Sequence, residues 1–74
     1  MNVSIGDLKT IATYGGGMIL DARKISAGDL KTIATYASKT QSSITIKNPS
    51  VLSSGDMKTI ATYSKGCVIF DFYT

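Results

Sequence analysis

Histidine, glutamate and tryptophan are missing from this chain of 74 residues, and it has a single cysteine. One cysteine cannot form a disulfide within the chain, and without histidine the usual nitrogen ligand for a metal is missing. The sequence also has no Cys–His, Ser–His or paired-carboxylate arrangement of the kind that catalysis requires. We therefore expect a protein that is not an enzyme and that holds neither a metal nor a cofactor.

Long apolar runs and a strong charge excess are also missing. No run approaches the roughly 20 apolar residues that a membrane span needs, and residues 1–4 lack the apolar core of a signal peptide. The net charge is only +3 and the basic residues are scattered, which does not by itself indicate a nucleic-acid partner. We expect a small basic protein of the cytoplasm that contacts no membrane.

One stretch of nine residues occurs three times and organises the sequence. It reads GDLKTIATY twice and then GDMKTIATY, at residues 6–14, 28–36 and 55–63. Within the first copy, Leu8, Ile11 and Ala12 have the spacing of one apolar stripe along a helix. The repeat therefore predicts three helices, at about residues 5–14, 27–37 and 54–64.

A serine precedes each copy at the position of a helix N-cap. Ser4 lies three residues before Asp7, and Ser26 and Ser53 stand in the same relation to the acids of the other copies. In such a capping box the serine oxygen accepts from the amide of the acid, and the carboxylate accepts from the serine amide. The sequence thus marks where each helix begins.

Each predicted helix is followed by a short run of strand character, which we assign to residues 18 to about 22, 43–47 and 67 to about 73. Strands joined through helices are parallel. The predicted fold class is α/β, with three tandem helix–strand repeats that form a small parallel three-stranded sheet with helices on one face, in a solenoid-like stack. A single domain, 1–74, would consist of repeats at about 4–25, 26–52 and 53–74. Strand order 1-2-3 is preferred, and 2-1-3 is the alternative.

Side chains alternate between the two faces of a strand. The alternation predicts that seven strand residues face the helices: Met18, Leu20, Ile44, Ile46, Val68, Phe70 and Phe72. The opposite face carries an apolar row, Ile19–Thr45–Ile69, and a charged row of alternating sign, Asp21–Lys47–Asp71.

No element of the chain is left to cover that second face, although parallel sheets are normally covered on both sides. The last strand, CVIFDFY, also lacks a proline or lysine that would protect its edge. We therefore expect a homo-oligomer, most simply a dimer. The predicted interface residues are Ile19, Thr45, Lys47, Ile69, Phe70, Asp71, Phe72 and Tyr73.

The repeated stretch also carries a lysine, a threonine and a tyrosine outside the apolar stripe. Lys9 and Thr13 fall on one flank of the first helix, and Asp7 and Tyr14 fall on the other. One interpretation is structural, with Asp–Lys pairs and packed tyrosines between neighbouring helices. The other is an array that binds an anionic ligand, a nucleotide or a nucleic acid. Its candidate residues are Lys9, Lys31, Lys58, Thr13, Thr35, Thr62, Tyr14, Tyr36 and Tyr63.

These patterns favour a protein-binding module, an adaptor or inhibitor that docks on a larger protein through its open sheet face or last strand. The alternative is an oligomeric protein that binds or sequesters an anionic small molecule such as a nucleotide. Nucleic-acid binding ranks third. Small proteins of this style often come from phages or mobile elements, although no residue here proves that origin.

Overall fold

In a computed structural model, which describes residues 3–73, three helices alternate with three parallel strands joined in the order β1-β2-β3. This confirms the α/β class, the three-stranded parallel sheet and the preferred strand order. The predicted domain limits at residues 1 and 74 lie outside the described residues. The elements are α1 (Ile5–Thr13), β1 (Met18–Asp21), α2 (Ala27–Thr40), β2 (Ile44–Lys47), a 3₁₀ helix (Pro49–Val51), α3 (Ser54–Ser64) and β3 (Val68–Asp71).

The three helices begin at the serines that the sequence marks. The Ser4 Oγ accepts from the Asp7 amide at 3.1 Å, and the Asp7 carboxylate accepts from the Ser4 amide at 3.2 Å. Ser26 and Ser53 accept in the same way from the third residue of α2 and α3. The first helix therefore has the complete capping box, and the other two have its serine half.

The first helix ends in a glycine turn. Gly15 has a φ of +89°, a left-handed conformation that costs glycine little. Its amide donates to the Ala12 carbonyl at 3.1 Å, and the Gly16 amide donates to the Ile11 carbonyl at 2.9 Å. These two bonds form a Schellman motif, which satisfies carbonyls that the helix end leaves unpaired. The glycine run therefore works as a helix stop.

The second helix is longer than predicted, since it continues past residue 37 and ends at Thr40. The left-handed residue that stops it is Gln41, with a φ of 58°. The added turn binds the first helix, because the Thr40 hydroxyl donates to the Ala12 carbonyl at 2.6 Å and the Ser42 hydroxyl donates to the same oxygen at 3.2 Å. The extra turn of α2 is therefore held by a hydrogen bond to the Ala12 carbonyl of α1, which is distant in sequence.

The core lies between the helices and one face of the sheet. The second helix contacts both other helices and contributes the fully buried Leu30 and Ile33. Ile44 and Ile46 of the central strand are equally buried, and Ile60 of α3 completes this layer. The strand residues that alternation assigned to the helix side therefore face the core, with one exception.

Phe72 is the exception. The third strand ends at Asp71, two residues earlier than predicted, and the Tyr73 amide donates to the Asp71 carboxylate at 3.0 Å. This side-chain turn takes the chain out of the strand alternation. Phe72 is consequently exposed to solvent and stacks on Phe70, with ring centroids 6.2 Å apart.

The isoleucine of the repeated stretch gives a stability prediction, because its burial differs between helices. Ile33 is fully buried, whereas Ile11, its equivalent in α1, is 39% exposed. We expect Ile33→Val to lower the free energy of unfolding by about 0.5–1.5 kcal/mol, and Ile11→Val by less than half as much, because an exposed methyl group buries little area. Urea unfolding followed by circular dichroism, at low protein concentration, measures both. Equal losses would contradict this packing.

Candidate interaction surface

The face of the sheet that points away from the helices carries an open apolar row. The strand register places Ile19, Thr45 and Ile69 side by side, as the sequence predicts. Ile19 is 69% exposed and Ile69 is 55% exposed. No element within residues 3–73 covers this row, which we call the open row.

A charged row lies beside it at the ends of the strands, where Asp21, Lys47 and Asp71 are in register. The Lys47 Nζ is 3.4 Å from the Asp71 carboxylate, which confirms one of the two predicted attractions. Asp21 instead pairs with Arg23, at 2.9 Å, and accepts from the Asn48 side-chain amide at 3.1 Å. Asp21 and Lys47 are in register as predicted, but no ion pair joins them within residues 3–73.

Arg23 takes Asp21 because it lies only two residues further along and presents two parallel donors. Its Nε and Nη2 both bind the carboxylate, and its own backbone amide donates to the same group at 2.9 Å. Such forked contacts are stronger than a single lysine contact. This role of Arg23 was not predicted, although an arginine two residues after a strand-ending acid was an available signal.

These hydrogen bonds change the titration of the pair. The side-chain and backbone donors of Arg23 hold the pKa of Asp21 well below its ordinary value of 3.8, and the Asn48 amide adds to the effect. The Asp21 carboxylate in turn raises the pKa of Arg23. Asp21 therefore loses its charge only in strong acid, and Arg23 stays charged there as well. The open row thus has a charged border.

The predicted interface residues fall into three groups. Five lie on the open face, as the register requires. Phe70 is half-buried on the helix side. The two remaining aromatics, Phe72 and Tyr73, follow the end of β3 and are exposed. The five residues that the structure brings together on the open face are Ile19, Thr45, Lys47, Ile69 and Asp71.

The predicted contacts between helices are only partly present. The Lys31 amine of α2 lies 5.1 Å from the centre of the Tyr63 ring of α3, so a tyrosine does pack beside a neighbouring helix. No Asp–Lys ion pair joins two helices within residues 3–73. The acids sit in the first turns beside the capping serines, and the lysine reaches the ring instead, in a cation–π contact.

The candidate ligand-binding threonines have an internal role. Each of Thr13, Thr35 and Thr62 donates its hydroxyl to the carbonyl four residues earlier, at 2.8 Å. An anion accepts hydrogen bonds, so hydroxyls that already donate elsewhere have less to offer it. This role was not predicted, although a threonine inside a helix commonly takes it.

The remaining candidate ligand-binding residues are spread over the three helices. Lys9 and Lys31 are half-buried, and Lys58 is exposed. Tyr14 is the most exposed of the three repeated tyrosines, and the Tyr36 ring is 5.3 Å from the amine of Lys39 in its own helix. The structure therefore brings one lysine and one tyrosine of the predicted array together across two helices, at Lys31 and Tyr63.

Across residues 3–73 there is no pocket and no group of three metal-binding side chains. None of the helices in this part of the chain has the length and apolar composition of a membrane-spanning segment. Comparison of the chain with protein-family models, curated proteins and solved structures gave no match in any of the three.

The lowered pKa of Asp21 gives a pH prediction. A carboxyl group with a lowered folded-state pKa stabilises the fold above its unfolded pKa, and this contribution is lost as the pH falls through the folded-state value. We expect the stability of the wild-type chain to fall below about pH 4 and Asp21→Asn to make that fall shallower. Arg23→Ala should flatten it in the same way, because it removes the donors. Urea midpoints between about pH 2 and pH 5 measure the slopes, and wild-type slopes in both variants would exclude the effect.

Proposed function

We propose that the three helix–strand units form a short solenoid and that the chain is a non-enzymatic, self-associating protein-binding module of the adaptor or inhibitor type. It acts through its open sheet face or its C-terminal edge strand. The observation that carries this proposal is the open row, in which Ile19 and Ile69 are more than half exposed on an uncovered parallel sheet.

The physical support is the cost of leaving that surface in water. Burial of apolar surface contributes about 25 cal/mol per Å², so a partner that covers the open row gains affinity from both isoleucines. The ion pairs Asp21–Arg23 and Lys47–Asp71 border the row. Charges at a rim contribute more to orientation and association rate than to affinity.

The C-terminal edge supports docking on a larger protein. Within residues 3–73 the third strand pairs with β2 alone, which leaves one side of its backbone for strand addition. Phe72 and the fully exposed Tyr73 follow directly. Aromatic side chains are common anchors of protein interfaces, so this end of the chain suits an extended segment of a target protein.

Self-association is the part of the proposal that is tested first. We expect sedimentation equilibrium of the purified chain to give a mass that rises with concentration in the micromolar range, because a second copy is always available to cover exposed apolar surface. A chain that sediments as a monomer of 7.8 kDa throughout that range would contradict the proposed function.

A second proposal is an oligomeric protein that binds or sequesters an anionic small molecule such as a nucleotide. It is favoured by one observation, the approach of the Lys31 amine to the Tyr63 ring across two helices. A thermal-shift screen with nucleotides and cyclic nucleotides separates the two proposals. A ligand-dependent rise in melting temperature supports the second, and no response to any nucleotide supports the first.

A further inference from the structure

We propose that copies of this chain associate head to tail, with α3 of one copy packed on α1 of the next and β3 of the first copy extending its sheet into β1 of the second. This inference rests on the proposed self-association and names the surfaces that carry it. It follows from a helix–helix contact that the chain already makes twice with the same nine-residue stretch.

That contact has a direction. The lysine flank of each helix comprises the repeat's lysine and alanine, which are Lys9 and Ala12 in α1. The tyrosine flank comprises its isoleucine and tyrosine, which are Ile11 and Tyr14 in α1. The amine of Lys31 in α2 lies 5.1 Å from the ring centre of Tyr63 in α3. The lysine flank of α2 therefore faces the tyrosine flank of α3, the helix that follows it.

The alanine of the lysine flank shows which helix has no neighbour on that flank. Ala12 in α1 and Ala34 in α2 are fully buried, because each faces the next helix. Their equivalent in α3, Ala61, is exposed. Among residues 3–73, no element covers the lysine flank of the third helix, which faces solvent.

The tyrosine flank shows the complementary interruption at the other end. Ile33 and Ile60 are at most 1% exposed, whereas Ile11 in α1 is 39% exposed. Tyr14 is 86% exposed, against 36% for Tyr36 and 48% for Tyr63. Among residues 3–73, no element covers the tyrosine flank of the first helix. The lysine flank of α3 from another copy has the shape and chemistry to pack on it.

The sheet edges match in the same direction. In a parallel ladder, alternate residues of a strand bond to one neighbour and the intervening residues point to the other side. The Met18 amide donates to the Ser43 carbonyl and the Ile44 amide donates to the Cys67 carbonyl, at 3.0 and 2.8 Å. By this alternation, the backbone groups of Ile19 point away from β2 at the β1 edge of the sheet. At the β3 edge, the backbone groups of Val68 and Phe70 point away from β2.

A join in the existing register would place Val68 beside Met18 of the next copy, since Val68 continues the row Met18–Ile44–Val68. Outward groups of β3 then meet outward groups of β1, and the ladder continues without a shift. The join also sets Asp71 beside Asp21. Each of these acids already has its own cation, Lys47 and Arg23 respectively, which limits their repulsion.

Such a contact uses different surfaces on the two partners, so it does not close on itself as a two-fold dimer does. It produces rings where the rotation closes and filaments where it does not. Repeat proteins ordinarily avoid this outcome with polar terminal units. Among residues 3–73, the two outer helices instead present Ile11 and Ala61 of the repeated stretch.

Two variants block one end each. Ala61→Arg places a large charged side chain where the equivalent alanines are fully buried, and Tyr14→Lys places a positive charge where Lys58 of the neighbouring copy would approach. Both positions are exposed in the single chain, so we expect both variants to fold.

Thr59→Arg and Thr10→Lys are matched controls, because these exposed threonines lie on the outer face of the same helices. Ile11→Lys is a second variant at the α1 end, with its urea midpoint as a folding check.

Sedimentation equilibrium provides the readout. We expect each blocking variant alone to associate at least tenfold more weakly than the wild type, and both controls to associate as the wild type does. An equimolar mixture of Ala61→Arg and Tyr14→Lys should form dimers that do not grow further, because each partner keeps the end that the other lacks. A wild-type chain that associates while the blocking variants associate equally well would overturn the head-to-tail contact alone. A monomeric wild-type chain would overturn the proposed function as well.

Discussion

A three-stranded parallel sheet has two faces and two edges whose apolar and backbone groups need partners, and three helices in sequence cover only one face. The rest of the structure follows from this constraint. The core lies on the covered side, where Leu30, Ile33, Ile44, Ile46 and Ile60 are fully buried. The other side keeps Ile19 and Ile69 in water behind a rim of ion pairs. We propose that a partner covers this surface, and for this reason we favour binding over catalysis.

One stretch of sequence produces three different environments, since position in the stack decides burial. The isoleucine of the repeat is buried in α2 and α3 and partly exposed in α1, while the alanine is buried in α1 and α2 and exposed in α3. The copies differ only at Met57, which stands where the other two have leucine, and this change lies on neither the isoleucine nor the alanine. The difference comes from the neighbour that each flank has or lacks, and the two flanks without a neighbour are complementary to each other.

The sequence predicted those features of the fold that depend on local chemistry. Serine caps, strand order, strand register and the open row follow from spacing and alternation, and the structure has all of them. The errors concern contacts between distant residues or competing partners. The extra turn of α2 reaches the Ala12 carbonyl, Arg23 takes Asp21 from Lys47, and Lys31 binds a ring instead of an acid. Each of these depends on three-dimensional proximity, which periodicity does not encode.

We propose that another copy of the chain, joined head to tail, covers the helix flanks and sheet edges that one copy leaves open. Isotope-filtered NMR on a mixture of labelled and unlabelled chains tests it most directly, through nuclear Overhauser effects between methyl groups of different copies. The account predicts intermolecular contacts between the Ile11 methyls of one copy and the Ala61 methyl of another, at concentrations where the chain associates. Association without any contact between these two ends, or no intermolecular contact at any concentration, would contradict it.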